Sequence, residues 1–281
     1  MQALRTILLP DGRHLGYAEY GAAEGSPVLF FHGAPGSCRI HADMANIAAR
    51  CGVRLVAVER PGYGLSDPQP GRLILDWAGD VTALADALGM AQFAIIGFSI
   101  GSIYALACAY SNADRIRKIA LVGAFAPLNA PGVMKGMSPT CSGLFALAQS
   151  NPAELKKTFA PLTESPAVLR AAMSASLPEC DKNEFDKRAA EFEAEYTQML
   201  HGGIGGVADD FMLVSKDWGF PLDGINTETH LWCGRDDSNS PSAMTDYLAS
   251  TLPNTRKLIL QGEGHLALYA HWEEILERLK Q

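Results

Sequence analysis

Residues 97–101 read Gly-Phe-Ser-Ile-Gly. An apolar run, Phe93-Ala94-Ile95-Ile96, precedes them, and a helix-like run, Ile103 to Tyr110, follows. A serine between two glycines, set between a buried strand and a helix, is the pattern of a turn that must project one hydroxyl. Such a turn forces Ser99 into a strained backbone conformation, and glycines at 97 and 101 let neighbouring backbone approach closely. The N-terminus of the following helix favours negative charge beside that hydroxyl. The Ile100 N–H would then face a developing oxyanion. The chemistry implied is nucleophilic attack on a carbonyl.

A serine hydroxyl is a weak nucleophile without a general base, and the base needs a carboxylate to orient it. For this type of turn the chain order is serine, acid, histidine. After Ser99 come His201, His230, His265 and His271. His265 stands in Gln261-Gly262-Glu263-Gly264-His265, directly after the last expected strand, at the sheet edge where open α/β folds bind ligands. His230 opens a strand, at the wrong end. His201 falls in the middle region, and His271 begins the last helix as a surface or capping residue. His265 is therefore the expected base. For the acid, Gly234-Arg235-Asp236-Asp237 follows the strand at 230–233. The local sequence leaves Asp236 and Asp237 both open.

These residues need elements to hold them. Residues 3–9 and 13–20 alternate around Pro10-Asp11-Gly12, a hairpin signal. The short apolar run at 28–31 and the stretches at 53–58, 93–98 and 116–122 read as strands. Helical patterns at 39–50, 73–88 and 102–110 alternate with them, which predicts a parallel sheet with helices on both faces. From 128 to 220 the strand pattern disappears. Residues 179–200 read as one helix with a solvated acidic face, and Gly202-Gly203-Ile204-Gly205-Gly206 reads as a hinge or a tight loop. The rhythm resumes with a strand at 230–233, a helix at 241–251, a strand at 256–261 and a helix at 271–280. The expectation is a core of 1–127 and 221–281 carrying a helical insertion at 128–220.

The 281 residues, 48% apolar and 19% charged, suit one large α/β core with an insertion. A net charge of -8 argues against nucleic acid or an anionic membrane as the main partner. The six cysteines form no CxxC pair and have no zinc spacing, so they read as reduced thiols. The opening MQALRTILLPDG lacks a secretory apolar stretch, and no apolar run reaches the ~20 residues of a membrane helix. The expectation is a cytoplasmic protein acting on a small-molecule substrate, with no metal or organic cofactor.

His32-Gly33-Ala34-Pro35-Gly36, Arg60-Pro61-Gly62-Tyr63-Gly64-Leu65-Ser66-Asp67, GFSIG, GRDDSNSP and GEGH together resemble the α/β-hydrolase superfamily over nearly the whole chain. The resemblance implies a mostly parallel, eight-stranded sheet with a helical cap. It implies that the acid is Asp237, the last residue of a G-x-x-D pattern with Pro241 four residues on. It implies that Ala34 N–H joins Ile100 N–H in an oxyanion hole, with His32 orienting that loop. Glu59 stands where relatives often carry Asp, a change that affects local hydrogen bonding. Cys38 reads as packing. Relatives that open epoxides or displace halides carry Asp at the elbow, and Ser99 excludes that chemistry.

The region 128–220 resembles the cap that shapes the pocket in such relatives. Its Met134, Met137, Leu144, Phe145, Leu147, Met173 and Met199 predict, as a group, an apolar pocket for a small to medium acyl ester. HGAPG and GFSIGS are also similar to segments of proline iminopeptidases. An inward turn of the acidic helix would suit a substrate ammonium. A lactonase, a C–C bond hydrolase, a cofactor-free haloperoxidase and a non-turnover receptor use the same residues.

Overall fold

The computed structural model describes residues 3–280, so Met1, Gln2 and Gln281, at the ends of the expected core, lie outside the described residues. The chain opens with β1 (Leu4–Leu8), β2 (His14–Gly21), β3 (Ser26–Phe31), α1 (Ala42–Arg50) and β4 (Val53–Val58). Then follow α2 (Asp76–Ala87), β5 (Phe93–Phe98), α3 (Gly101–Ser111) and β6 (Ile116–Val122). Between β6 and the next strand lie α4 (Pro139–Ser150), α5 (Pro152–Phe159), α6 (Pro166–Ser176), α7 (Glu179–Lys187), α8 (Ala189–Met199) and α9 (Gly205–Val214). The chain closes with β7 (Glu228–Gly234), α10 (Ser242–Thr251), β8 (Thr255–Leu260), α11 (Ala267–Ala270) and α12 (Trp272–Lys280).

The described residues form one eight-stranded sheet in the order β1-β2-β4-β3-β5-β6-β7-β8. β1 and β2 pair antiparallel, as do β2 and β4; every other pairing is parallel. The chain leaves β3 toward β4 on one side and returns to β5 on the other, so the β3–β5 junction is the point where the winding reverses. Side-chain alternation divides the core between the two faces. Leu29, Phe31 and Ile95 join one apolar cluster with Trp77 and Tyr104; Val28, Phe30, Ala94 and Ile96 join another with Trp272. Strands covered on both sides are apolar through most of their length, which is why these runs do not alternate.

Three helices differ from the sequence reading, the first being the one expected over 39–50, which starts at Ala42. The helix expected from residue 73 starts at Asp76: residues 73–75 open it with tight i→i+3 turns, and the Asp76 carboxylate reaches back to accept the Leu73 N–H at 2.8 Å, as in a capping box. The single helix expected over 179–200 is two, α7 and α8, broken at Arg188. At the break Arg188 leaves helical backbone angles (φ -104°, ψ 23°), and its side chain reaches Glu184, Asp43 and the Tyr269 ring. The break turns α7 and α8 separately, so their acidic residues do not form one solvated face. Asp181 is 3% exposed and Glu195 9%, whereas Glu179 and Lys182 face outward.

The glycine run at 202–206 is a tight join. A Cβ on Gly206 would come within 2.7 Å of the Gly62 carbonyl, and one on Gly202 within 2.8 Å of the same oxygen. Gly64 N–H donates to Met199 O at 3.2 Å across this contact. Two glycine-rich stretches, 62–64 and 202–206, thus meet backbone to backbone. Among the described residues, no helix is long and apolar enough to cross a membrane.

Candidate active site

Ser99 follows β5, and its φ of 53° is the one positive value at a non-glycine position among the described residues. That strain persists only where the surroundings fix it. Here Ser99 N–H donates to Val122 O at 2.9 Å. A Cβ on Gly97 would lie 2.7 Å from Ser102 Cα, and one on Gly101 would strike the Phe31 and His32 carbonyls. Both glycines are therefore required by the close approach of α3 and the β3 loop.

His265 lies in the loop after β8. Its Nε2 is 3.0 Å from Ser99 Oγ, and its Nδ1 is 2.8 Å from Asp237 Oδ2. A carboxylate only accepts, so Nδ1 carries the proton and Nε2 presents its lone pair to the serine. Burial alone would lower the His265 pKa; Asp237, with a further contribution from Asp181, outweighs it and holds it above the ordinary histidine value. Gly123 leaves room for the ring, since a Cβ there would sit 2.9 Å from His265 Nδ1. Asp237 is held by its own loop: Oδ1 accepts Asn239 N–H at 2.8 Å and Ser240 N–H at 2.9 Å, and Ser240 Oγ donates to Oδ2 at 2.8 Å. Asp236 is exposed and makes none of these contacts, which separates the two aspartates. Ser240 had no signal in the sequence beyond lying in GRDDSNSP.

The other histidines downstream of Ser99 lie elsewhere. His230 bonds Glu228 at 2.9 Å within β7, His271 bonds Glu263 at 3.0 Å, and His201 is exposed. His32 is buried and donates from Nδ1 to Gly33 O at 2.7 Å. Burial and then the nearby Arg60 hold its pKa well below the usual value, so the ring is neutral. Cys38 is buried, and burial with Glu59 beside it pushes its thiol well up, which leaves it unreactive.

Arg60 fixes the glycine loop after β3. Its guanidinium donates from Nη1 to His32 O and from Nη2 to Gly33 O, the latter at 2.9 Å. Gly33–Ala34 is a trans peptide, so its carbonyl and the Ala34 N–H point in opposite directions. Gripping the Gly33 carbonyl from two sides, by Arg60 and His32, therefore fixes where the Ala34 N–H points. Neither Ala34 N–H nor Ile100 N–H has a backbone partner among the described residues, and both residues line the same cavity as Ser99 and His265. Behind Arg60, the fully buried Asp210 of α9 accepts Arg60 Nε and Arg72 Nη2, each at 2.8 Å, together with the Tyr63 and Tyr104 hydroxyls. Burial would raise the Asp210 pKa; the two guanidiniums reverse this and hold it at about 2. Glu59, the departure noted in the sequence, is buried and accepts Leu65 N–H at 2.7 Å and Gln198 Nε2 of α8 at 2.9 Å.

The cavity has a volume of about 310 Å³ and lies between the sheet edge and α4–α9. Phe98, Phe125, Leu144, Phe159, Met173 and Phe211 give it an apolar wall. Of the seven apolar residues named from the sequence, Leu144 and Met173 line it; Phe145 and Met199 are buried in the core instead. Glu195 also lines it, with Oε1 accepting Ser37 N–H at 3.2 Å and Oε2 3.8 Å from His41 Nε2. Among the described residues, no group of three or more His, Cys, Asp or Glu is placed to hold a metal ion.

This geometry and the sheet order can be set beside known proteins. The sequence profile of the alpha/beta hydrolase fold matches residues 26–271. The chain belongs to the alpha/beta hydrolase fold family. A non-heme chloroperoxidase of Streptomyces lividans is 34% identical over 44% of this chain and 45% of its own length, so the chain matches less than half of that relative. The AB hydrolase superfamily protein YisY of Bacillus subtilis is 26% identical over 92% of this chain and 91% of its own. In three dimensions, an alpha/beta hydrolase fold protein from Chitinophaga pinensis superposes with a TM-score of 0.73 at 18% identity, covering 100% of this chain and 96% of that one.

Proposed function

We propose that the protein is a serine hydrolase that cleaves a small to medium carboxylic ester through an acyl-enzyme. The observation that carries this reading is the unbroken hydrogen-bonded chain Asp237–His265–Ser99, opening into a mainly apolar cavity. In this reading His265 Nε2 takes the Ser99 proton as Oγ attacks the carbonyl carbon. Asp237 stabilises the resulting imidazolium and keeps the ring in its tautomer. The Ala34 and Ile100 N–H groups hold the tetrahedral oxyanion, each contributing on the order of 3 kcal/mol. His265 then returns its proton to the departing alcohol oxygen as the C–O bond breaks. Water, deprotonated by His265, attacks the acyl-enzyme and releases the acid. The helices α4–α9 act as the cap that shapes the acyl pocket.

Glu195 supports a second reading. A carboxylate in the wall of an otherwise apolar cavity suits a substrate that carries an ammonium group, as an aminopeptidase substrate does. Steady-state hydrolysis of p-nitrophenyl esters of rising acyl length, with Ser99→Ala in parallel, tests the first reading. Turnover should fall by on the order of 10⁶-fold in the variant. Folded protein that turns over no ester but cleaves a proline arylamide would replace the ester reading with the second. A single slow event without turnover would point to a receptor.

A further inference from the structure

Asp181 is an unexpected presence beside the base. It stands in the first turn of α7, in the helical segment, and is 3% exposed. Among the described residues no lysine or arginine pairs with it. A buried carboxylate without a cation is costly unless other donors satisfy it. Its donors are two backbone N–H groups of the loop after β8: His265 N–H to Oδ2 at 2.7 Å, and Leu266 N–H to Oδ1 at 3.0 Å. That stretch lies between β8 and α11, where no sheet or helix ladder reaches these two amides. The glycine before the histidine is shaped by the same contact, since a Cβ on Gly264 would strike the Asp181 carboxylate.

We propose that Asp181 is a positioning residue for His265: its carboxylate, delivered by the helical segment, holds the backbone of the loop that carries the base and sets a second negative charge beside the imidazole. The proposal rests on the reading of His265 as the general base. The groups that face this imidazole are Asp237 and Ser240 from the loop after β7, Ser99 from the elbow, Asp181 from α7, the Phe98 ring and Gly123. Asp237 and Asp181 are the two carboxyl groups among them, and burial raises the Asp181 pKa above its ordinary value. Removing the second charge makes the imidazolium less favourable, so His265 loses its proton at lower pH.

Asp181→Asn keeps the shape but removes the charge, and its amide NH₂ faces a backbone N–H that it cannot accept. Titration of the His265 ring by NMR, in the wild type and in the variant, reads the effect without any substrate. A fall is expected, smaller than the one that removing Asp237 would cause, since Asp181 is the lesser of the two carboxylate contributions. The acid limb of kcat/KM for an ester should move down by the same amount, with kcat at the plateau about tenfold lower from the loosened loop. Asp236→Asn, which removes an exposed carboxylate nearby, should move neither. A His265 titration unchanged to within about 0.2 unit in Asp181→Asn overturns the proposal. Absence of ester turnover in the wild type would sink the functional reading, while the NMR titration still decides the role of Asp181. Should Asp181→Asn fail to fold, amide hydrogen exchange in the wild type decides: the His265 and Leu266 amides should exchange at least about 100-fold more slowly than an open loop, and exchange at the open rate refutes the contact.

Discussion

Replacing Asp210 by asparagine should be among the most damaging single changes to the folded chain. Asp210 is fully buried and accepts four donors, two of them the guanidiniums of Arg60 and Arg72, themselves 0% and 4% exposed at the side chain. The substitution leaves two buried positive charges with no counter-ion and turns an amide toward donors. Breaking a buried pair from one side costs about 3–5 kcal/mol. That is a large share of the roughly 5–15 kcal/mol that holds a typical domain together. At about 2 °C per kcal/mol for a chain of this length, Tm should fall by about 6–10 °C. Asp209→Asn is the control: its neighbour on α9 makes a half-exposed pair with Lys156 at 3.6 Å and should cost under about 0.5 kcal/mol. The acid limb of stability gives an independent reading. The folded pKa of Asp210 is held at about 2, below its ordinary value of 3.8. Its contribution is thus complete above about pH 4 and is lost as pH falls toward 2, where the unfolded chain binds the extra proton. The wild type should lose stability more steeply than Asp210→Asn across that window. Thermal unfolding monitored by circular dichroism, repeated from pH 2 to 7, measures both. A Tm loss in Asp210→Asn no larger than in Asp209→Asn would refute the reasoning.

Arg60→Lys keeps a positive charge beside Asp210 but cannot fork onto two carbonyls. It should lower kcat by about 10–100-fold, with KM for a neutral ester changed less than about threefold; a raised KM at full kcat would assign Arg60 to substrate binding instead. Because Asp237 and Asp181 hold the His265 pKa above the ordinary 6.5, kcat/KM should be lost on acidification from a midpoint above that value, and a midpoint well below it would contradict the charge arrangement. Gly206→Ala places a methyl against the Gly62 carbonyl and should destabilise by about 1–3 kcal/mol, read from the urea midpoint; an unchanged midpoint would mean that this join yields freely.

The strands were legible because burial on both faces leaves largely apolar runs that no other element explains; β4, β5 and β6 start and stop where the sequence places them, with Arg54, Arg117 and Lys118 confined to the less buried starts of β4 and β6. The residues at the sheet edge were legible because a strained serine turn demands flanking glycines, and a base must follow a strand end. The two aspartates at 236 and 237 could not be told apart locally, since the difference lies in which one the Asn239 and Ser240 amides reach around. What the sequence hid lies in the helical segment. Periodicity merges α7 and α8, because acidic and apolar residues continue at helical spacing through Arg188, and only the backbone angles at Arg188 show the break. Asp181, Glu195 and Asp210 then look like ordinary surface carboxylates. Each is buried through a partner far along the chain, a relation that no local pattern records.

Those three carboxylates limit how this chain can change its substrate. Exchanging α4–α9 for the corresponding helices of a relative looks like a simple way to graft a new specificity onto the sheet. Here the exchange would also remove the counter-ion of Arg60 and Arg72, the acceptor of the Ser37 amide and the acceptor of the His265 and Leu266 amides. The graft would arrive with a new pocket over loops that had lost their moorings. Changes at cavity-facing positions such as Leu144 and Phe159, which line the cavity, would reshape it while leaving those three carboxylate contacts intact.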